Sequence, residues 1–228
     1  MRGAGRYRRR AATALAAAAA VLGVVALAHT SAARPVLRWL GLGSGCPMSL
    51  AGQTPASLEQ RRVETMRPLA GTTPARTRPA LGFVLGQSTR DEVSTWASQH
   101  DVACDDALLG TALRCRGLPA DAVPEAGAIP IADAYFRFDP AGKLVALDVM
   151  HEGTSGTTAV DFLRGASERL TRDVGEPSRV SLETVTQLEA PYAQSSVEFR
   201  FRNYAADVSA TNFGQVGVVV REQYRALD

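Results

Sequence analysis

Residues 81–100 read LGFVLGQSTRDEVSTWASQH, and this pattern predicts a turn followed by a short amphipathic helix. Ser88 or Thr89 is expected to cap the helix, because a hydroxyl at that position accepts a hydrogen bond from a free N–H of the first turn. Glu92 stands three residues after Thr89, at the spacing of a capping box. Apolar residues recur at helical spacing from Val93 onwards. A helix with one apolar face needs a sheet to lie on.

The residues after this helix predict strands, then a second helix, then further strands. The clearest hairpin joins Ala134–Phe138 to Lys143–Met150 through Asp-Pro-Ala-Gly, which suits a type I turn. The second helix is predicted over Ala159–Val174, with Thr158 as its cap. The strands expected after it are Ser178–Leu188, Ser195–Tyr204, Asp207–Phe213 and Val216–Tyr224.

This order of elements predicts an α+β fold. Helices that alternate with groups of strands are typical of helices laid on an antiparallel sheet. We expect two tandem helix-plus-antiparallel-strand units that form one sheet-based domain at residues 81–228, behind an N-terminal hydrophobic helix.

The N-terminus predicts export. Residues 1–10 hold five arginines, and residues 11–28 are apolar and carry no charge. Such a run covers roughly 27 Å as a helix, close to the thickness of the hydrocarbon layer. Two interpretations stay open, a retained transmembrane anchor or a signal peptide cleaved after the small-x-small sequence at 26–28.

The rest of the chain is expected outside the cytoplasm. Residues 29–80 have the composition of a Pro/Gly-rich tether with a short helix at 55–66, and residues 81–228 form the globular domain. The arginines would stay in the cytoplasm, which places residues 29–228 on the periplasmic or extracellular side of the inner membrane. If the signal is cleaved, the protein is secreted to the periplasm.

The charge distribution argues against a nucleic-acid partner. Seven of the 25 basic residues lie in residues 1–45, which hold no acid. The remainder has 18 basic and 23 acidic residues, a net charge of −5. A nucleic-acid-binding domain needs a basic stripe, and this region has none.

The cysteines predict one disulfide bond. Cys104 and Cys115 flank a short turn-rich segment, and an exported chain folds where disulfides persist. We therefore expect these two residues to be bonded across a hairpin. Cys46 is left over, as a lipid attachment site or as a free or intermolecular thiol.

Two histidine-containing segments carry groups that could do chemistry. Ser155 with His151 and Glu152 could serve as a nucleophile beside a base, but a strand end followed by a helix cap explains the same residues. Oxygen and nitrogen groups from His100 to Asp106 could hold a cation, or simply form a solvated helix end. The sequence therefore indicates no catalytic site, no cofactor and no metal, and a hydrolase of unrecognised type stays an alternative.

Two weaker binding features have simpler explanations as well. The glycine-rich segment 153–156 before a helix could bind an anion, but it has no phosphate-loop lysine. Trp96 could stack on a ligand, although its spacing is typical of a core residue.

One strand suggests an interaction face. Glu198, Arg200 and Arg202 alternate with Val197, Phe199 and Phe201, and Tyr204 continues the same period. An extended strand would therefore place Glu198, Arg200, Arg202 and Tyr204 on one outward face. Arginine and tyrosine often dominate the energy of protein interfaces. A solvated face with cross-strand ion pairs is the alternative interpretation.

Two short motifs resemble a known family. The segment from Gly86 through Ser88 and Thr89 to Val93 resembles the start of the first helix in SmpA/OmlA-type small envelope lipoproteins. There, a glycine, a small hydroxyl residue and a buried valine open the helix. The Gly-x-Pro at 175–177 is similar to the one that ends such helices.

That resemblance covers residues 81–228. The β-lactamase-inhibitor-protein-like group shares this helix-on-sheet fold and carries it in tandem. The resemblance implies a non-enzymatic envelope module that binds other proteins.

We therefore expect a membrane-tethered envelope protein that acts as a protein-interaction module. Its partner would be another envelope protein, and residues 11–28 would contact the membrane. A small-ligand or lipid-binding periplasmic domain is the alternative.

Overall fold

Eight strands form one antiparallel sheet in the computed structural model, which describes residues 52–123 and 129–228. The strands are β3 (Cys104–Ala107), β4 (Ala112–Leu118), β5 (Ile131–Phe138), β6 (Leu144–Thr154), β7 (Arg179–Ser181), β8 (Gln194–Arg200), β9 (Tyr204–Asn212) and β10 (Val218–Ala226). Their order across the sheet is β3-β4-β5-β6-β10-β9-β8-β7. A separate two-stranded sheet pairs β1 (Pro79–Ala80) with β2 (Phe83–Val84).

In the described residues, four α-helices accompany the sheet. They are α1 (Pro55–Met66), α2 (Arg90–Gln99), α3 (Gly156–Val174) and α4 (Val185–Leu188). Short 3₁₀ turns lie at Arg67–Leu69, Leu108–Gly110, Ala120–Ala122 and Gly214–Val216. The predicted α+β class is confirmed, whereas the predicted N-terminal hydrophobic helix lies outside the described residues.

The sheet has two halves, each made of four strands that are consecutive in the chain. The half β3–β6 follows α2, and the half β7–β10 follows α3. The halves meet where β6 and β10 pair, with Met150 opposite Arg221. Each half is therefore a helix followed by an antiparallel meander.

Hydroxyl caps start the helices α2 and α3. Thr89 accepts from the backbone N–H of Glu92, and the Glu92 carboxylate accepts from the N–H of Thr89, so the predicted capping box is present. The second helix begins three residues earlier than predicted, because the Ser155 hydroxyl caps it by accepting from the Thr158 N–H at 3.1 Å. Ser155, not Thr158, is the cap.

One face of the sheet packs against α2 and α3. A single core cluster joins Val93 of α2 and Leu163 and Leu170 of α3 to apolar side chains of the strands. The strand residues alternate, so that Phe136 and Leu147, which lie opposite each other, are both buried. We call this side of the sheet the helix face and the other side the open face.

The predicted disulfide is confirmed. Cys104 and Cys115 are bonded, and they lie directly opposite each other on β3 and β4. The bond joins the edge strand β3 to its neighbour and so holds the first hairpin closed.

The strand predicted over Ser178–Leu188 is wrong beyond Ser181. The chain leaves the sheet after β7 and forms the short helix α4, which Thr184 caps through a capping box with Gln187. Leu188 is buried at the end of this helix. The strand prediction fails here because local capping at Thr184 starts a helix.

The segment before the first predicted core helix contacts the sheet at several points. Its helix α1 has the predicted bounds, with Thr54 as its cap. Further on, Gly71 donates to the Phe201 carbonyl at 3.1 Å, and a side chain at Gly71 would collide with the backbone of Arg200. Pro79 accepts a hydrogen bond from the Tyr204 hydroxyl at 2.8 Å. The compact unit runs from Gly52 to Asp228.

Candidate functional site

The open face of the sheet carries polar and charged side chains in rows. Strand register places Arg114, Tyr135 and Asp148 side by side on β4, β5 and β6. The next row along the strands has Asp133, Met150 and Arg221 side by side on β5, β6 and β10. Helices α2 and α3 lie on the opposite face, so these rows are not part of the main core.

Helix α1 lies against one end of the open face. The Arg137 guanidinium, which faces this side, donates to the Leu58 carbonyl at 3.2 Å. Burial there lowers the pKa of Arg137. Arg62 of α1 is buried, pairs with Glu59 at 2.7 Å and donates to the Ala226 carbonyl. This end of the sheet, the Arg137 end, is thus occupied by the chain itself.

Small side chains make room for α1. Three alanines point to the open face beside Arg137 and its neighbouring arginines, and all three are buried: Ala112, Ala146 and Ala205. Leu58, the apolar residue that α1 buries, is also outside the main core cluster. The Arg137 end therefore has its own small packing layer.

The other end of the open face holds a groove of about 450 Å³, which we call the open groove. Its wall and floor combine apolar, aromatic and charged groups. The lining residues are Arg114, Asp133, Tyr135, Asp148, Val149, Met150, Thr211, Phe213, Val219 and Arg221. The groove crosses the seam between β6 and β10, so both halves of the sheet contribute to it.

Ion pairs fix the charged side chains of the groove. Arg114 donates to Asp133 from Nε at 2.8 Å and again from Nη2, and this hydrogen bonding raises the pKa of Arg114. Asp148 Oδ1 accepts from Arg221 at 3.2 Å, Gln223 at 2.6 Å and Arg225 at 2.6 Å. Both carboxylates are therefore already paired with arginines.

Exposed apolar side chains stand at the same end of the sheet. Phe213 and Val216 lie in the loop between β9 and β10, and Tyr192 precedes β8, where its N–H donates to the Asn212 carbonyl at 2.7 Å. All three are exposed, and Tyr192 has a φ of +65°. Large exposed apolar groups next to a groove are typical of a binding surface.

The predicted interaction face is divided by a turn. Glu198 and Arg200 do lie on the open face, where Arg200 pairs with Glu198 at 3.0 Å and Asp207 at 2.5 Å. Arg202 is exposed in the turn between β8 and β9. Tyr204 does not share their face, because it starts the next strand and is completely buried on the helix face.

Ser155 and His151 do not form a hydrogen-bonded pair in the part of the chain that the structure describes. The Ser155 hydroxyl is engaged as the cap of α3 and lies 2.8 Å from the Thr158 hydroxyl. His151 is completely buried, with Nδ1 at 3.1 Å from the Pro130 carbonyl and Nε2 at 3.4 Å from Glu222. Each residue has a structural role.

Glu222 is the centre of a buried polar cluster on the helix face. Its carboxylate accepts from Arg169 at 3.0 Å and from the Tyr224 hydroxyl. Burial raises the pKa of Tyr224, and the Glu222 charge adds to the effect. Burial opposes the charge of Arg169, but Tyr224 and Glu222 outweigh it and raise its pKa. A cavity of about 240 Å³ adjoins Arg169 and Tyr224 beneath the β1–β2 hairpin.

Trp96 and the segment from His100 to Asp106 also have structural roles. Trp96 packs on Phe83 and donates to the Ala122 carbonyl at 3.1 Å, while Asp105 and Asp106 pair with Arg116 and Arg90. Over residues 52–123 and 129–228, no group of three or more His, Cys, Asp or Glu side chains is placed to hold a metal ion. In the glycine-rich segment that could bind an anion, Gly156 begins α3 and lies close to Glu189 and Val185.

The expectations for the N-terminal segment and for Cys46 fall on residues 1–51, outside the described part of the chain. Within the described part, no helix is long and apolar enough to cross a membrane.

The residues of the open groove were not predicted as a site. Tyr135, Met150 and Arg221 alternate with buried residues along their strands, which is the only signal that the sequence carries for them. The sequence does not show that β6 and β10 pair, and this pairing brings the three residues together.

Comparison with known proteins identifies no relative: no protein-family model, no curated protein and no solved structure matches this chain.

Proposed function

We propose that this chain is a membrane-tethered protein of the cell envelope whose exported domain binds another protein through the open groove. The observation that carries the proposal is the groove itself, an apolar and aromatic depression framed by arginines on the face opposite α2 and α3. Aromatic and arginine side chains contribute most of the binding energy in many interfaces. A fully solvated sheet face has no need of such a depression.

The sequence supports the location of this activity. An apolar run at residues 11–28, preceded by arginines, would tether or export the chain. Residues 29–51 would then separate the membrane from the compact unit. A tethered domain of this kind presents its binding face to partners in the envelope.

The arrangement of the sheet supports the family resemblance. Two successive helix-and-meander units, joined through their last strands, form one continuous face. We propose that this tandem arrangement is of the SmpA/OmlA and β-lactamase-inhibitor-protein-like kind. Joining two units doubles the width of the surface that a partner can contact.

A small ligand is the second candidate occupant. The groove volume of about 450 Å³ lies within the range of small-molecule pockets. Its charged rim and apolar floor would suit an amphipathic molecule such as a lipid. The same experiment distinguishes the two occupants.

The test is site-specific photo-crosslinking in cells that express the full chain. Phe213→p-benzoylphenylalanine places the probe at the rim of the groove. Asp161→p-benzoylphenylalanine places it on the exposed side of α3, where Asp161 faces solvent beside Arg164, as a matched control. After irradiation, the envelope fraction is purified and the adducts are identified by mass spectrometry.

A protein adduct that forms from position 213 and not from position 161 supports the proposal. A lipid or metabolite adduct with the same dependence would instead support the small-ligand candidate. Equal adducts from both positions, or none from position 213, would contradict binding at the groove.

A further inference from the structure

We infer that the partner of the open groove contacts it with an acidic protein segment, in which carboxylates flank a bulky apolar side chain. This inference rests on the proposed function and adds the chemistry of the partner. It comes from the unequal exposure of the charges in the groove.

The arginine ends project further into solvent than the carboxylates that they pair with. The Arg114 side chain is 45% exposed, whereas that of its partner Asp133 is 18% exposed. The Arg221 side chain is 55% exposed, whereas that of its partner Asp148 is 24% exposed. A docking surface would therefore meet the guanidinium groups first.

Two arginines and two aspartates line the groove, and Arg225 from the Arg137 end adds a third guanidinium beside Asp148. Asp148 alone faces two guanidinium groups, from Arg221 and Arg225, while Asp133 faces Arg114. An arginine has five N–H donors. Within the described residues, Arg221 donates one hydrogen bond, to Asp148. The remaining donors of these arginines suit carboxylates supplied by a partner.

Tyr135 and Met150 lie between the two exposed arginines, next to Asp148 and Asp133. Tyr135 lies beside Arg114, and Met150 lies beside Arg221 in the strand register. Phe213 and Val219 continue the apolar lining towards the rim. A flexible methionine and exposed aromatics suit a bulky apolar side chain. The complementary segment therefore has an apolar residue between acidic ones.

The test measures how the adduct from Phe213→p-benzoylphenylalanine depends on the two arginines. Arg114→Gln with Arg221→Gln is expected to lower the adduct yield about tenfold, because charge-assisted hydrogen bonds to the partner are lost. Arg114→Lys with Arg221→Lys keeps the charge and should retain part of the yield. Arg179→Gln with Arg164→Gln removes two exposed arginines outside the groove and should leave the yield unchanged.

The salt dependence of the adduct yield provides a second test, with Arg114 and Arg221 left unchanged. In isolated envelopes, raising the salt from 50 mM to 500 mM should reduce the yield, because exposed charge pairs are screened over roughly 4 Å at the higher concentration. The melting temperature of each purified full chain in detergent checks that the variants fold.

The outcomes separate this inference from the proposed function. A protein adduct that is unchanged by the glutamine pair and by salt overturns the acidic segment but leaves protein binding at the groove. Equal loss in the Arg164 and Arg179 control also overturns it. A lipid adduct, or none, overturns both. A mapped contact peptide without carboxylates beside its apolar residue overturns the inference as well.

Discussion

Ser155 gives a test at the scale of one residue, because its hydroxyl is the cap of α3. Ser155→Ala removes the acceptor for the Thr158 N–H and should lower the free energy of unfolding by about 1 kcal/mol. Urea unfolding of residues 52–228 measures the change. Thr157→Ala, at an exposed position of the same turn, is the control. Equal stability of Ser155→Ala and the parent would contradict the capping role.

The alternation along β8 predicts the buried face of that strand but not the position of Tyr204. Alternation correctly placed Val197 and Phe199 on the buried face of β8. It failed at Tyr204 because the chain turns at Arg202 and Asn203, where the Phe201 N–H donates to the Tyr204 carbonyl. A turn within an alternating run restarts the alternation, and Asn203, a common turn residue, was its only signal.

At the scale of elements, the disulfide is expected to stabilise the β3–β4 hairpin. Closing a loop with a sequence separation of 11 is worth about 2–3 kcal/mol in chain-entropy terms. Reduction of residues 52–228 should therefore lower the melting temperature. The double variant Cys104→Ala with Cys115→Ala should have this lower melting temperature without reduction, and reduction should not change it further. A parent chain whose melting temperature is insensitive to reduction would refute this stabilisation.

The helix α1 is expected to dock on the open face through two residues. Leu58→Ala with Arg62→Ala removes its buried side chains and should cost about 2 kcal/mol or more. Hydrogen–deuterium exchange should then quicken in residues 55–66, while the central strands β6 and β10 stay protected. Arg61→Ala, at an exposed neighbouring position, is the control. Unchanged exchange in residues 55–66 would show that other contacts hold the helix.

The contrast between α1 and α4 explains which elements the sequence could predict. The start of α1 is indicated by Thr54 and Pro55, which are local signals. Its position on the sheet is not indicated locally, because Arg62 contacts a carbonyl at residue 226, far along the chain. The helix α4 was missed because four residues are too few to show a helical period.

At the scale of the whole molecule, the join between the two halves creates the candidate site. The sequence predicted two units of helix and strands, but its periodicity cannot show which strands pair. Pairing β6 with β10 sets Met150 beside Arg221 and makes the open groove continuous across the seam. No local motif predicts the site, because its residues come together only when β6 and β10 pair.

The whole molecule is also expected to lose stability at alkaline pH, because folding buries the hydroxyl groups of Tyr204 and Tyr224. Burial raises both of their pKa values well above the ordinary value of 10. The folded state therefore holds these protons more tightly than the unfolded state does. The stabilisation is complete below about pH 10, the pKa of an unfolded tyrosine, and is lost as the pH rises towards the folded pKa values.

The loss should approach about 1.4 kcal/mol per pH unit for each of the two tyrosines. Urea unfolding of residues 52–228 between pH 9 and 11.5 measures this slope, and absorbance at 295 nm follows tyrosinate formation. Tyr224→Phe should reduce the slope, although it lowers stability at pH 7 because Glu222 loses a donor. Tyr192→Phe, at an exposed hydroxyl, should leave the slope unchanged. Ionisation of all the tyrosines of the folded domain near pH 10, without unfolding, would contradict this prediction. Burial would then not protect the hydroxyl groups of Tyr204 and Tyr224. The packing of α3 on the sheet would have to be looser than the structure shows.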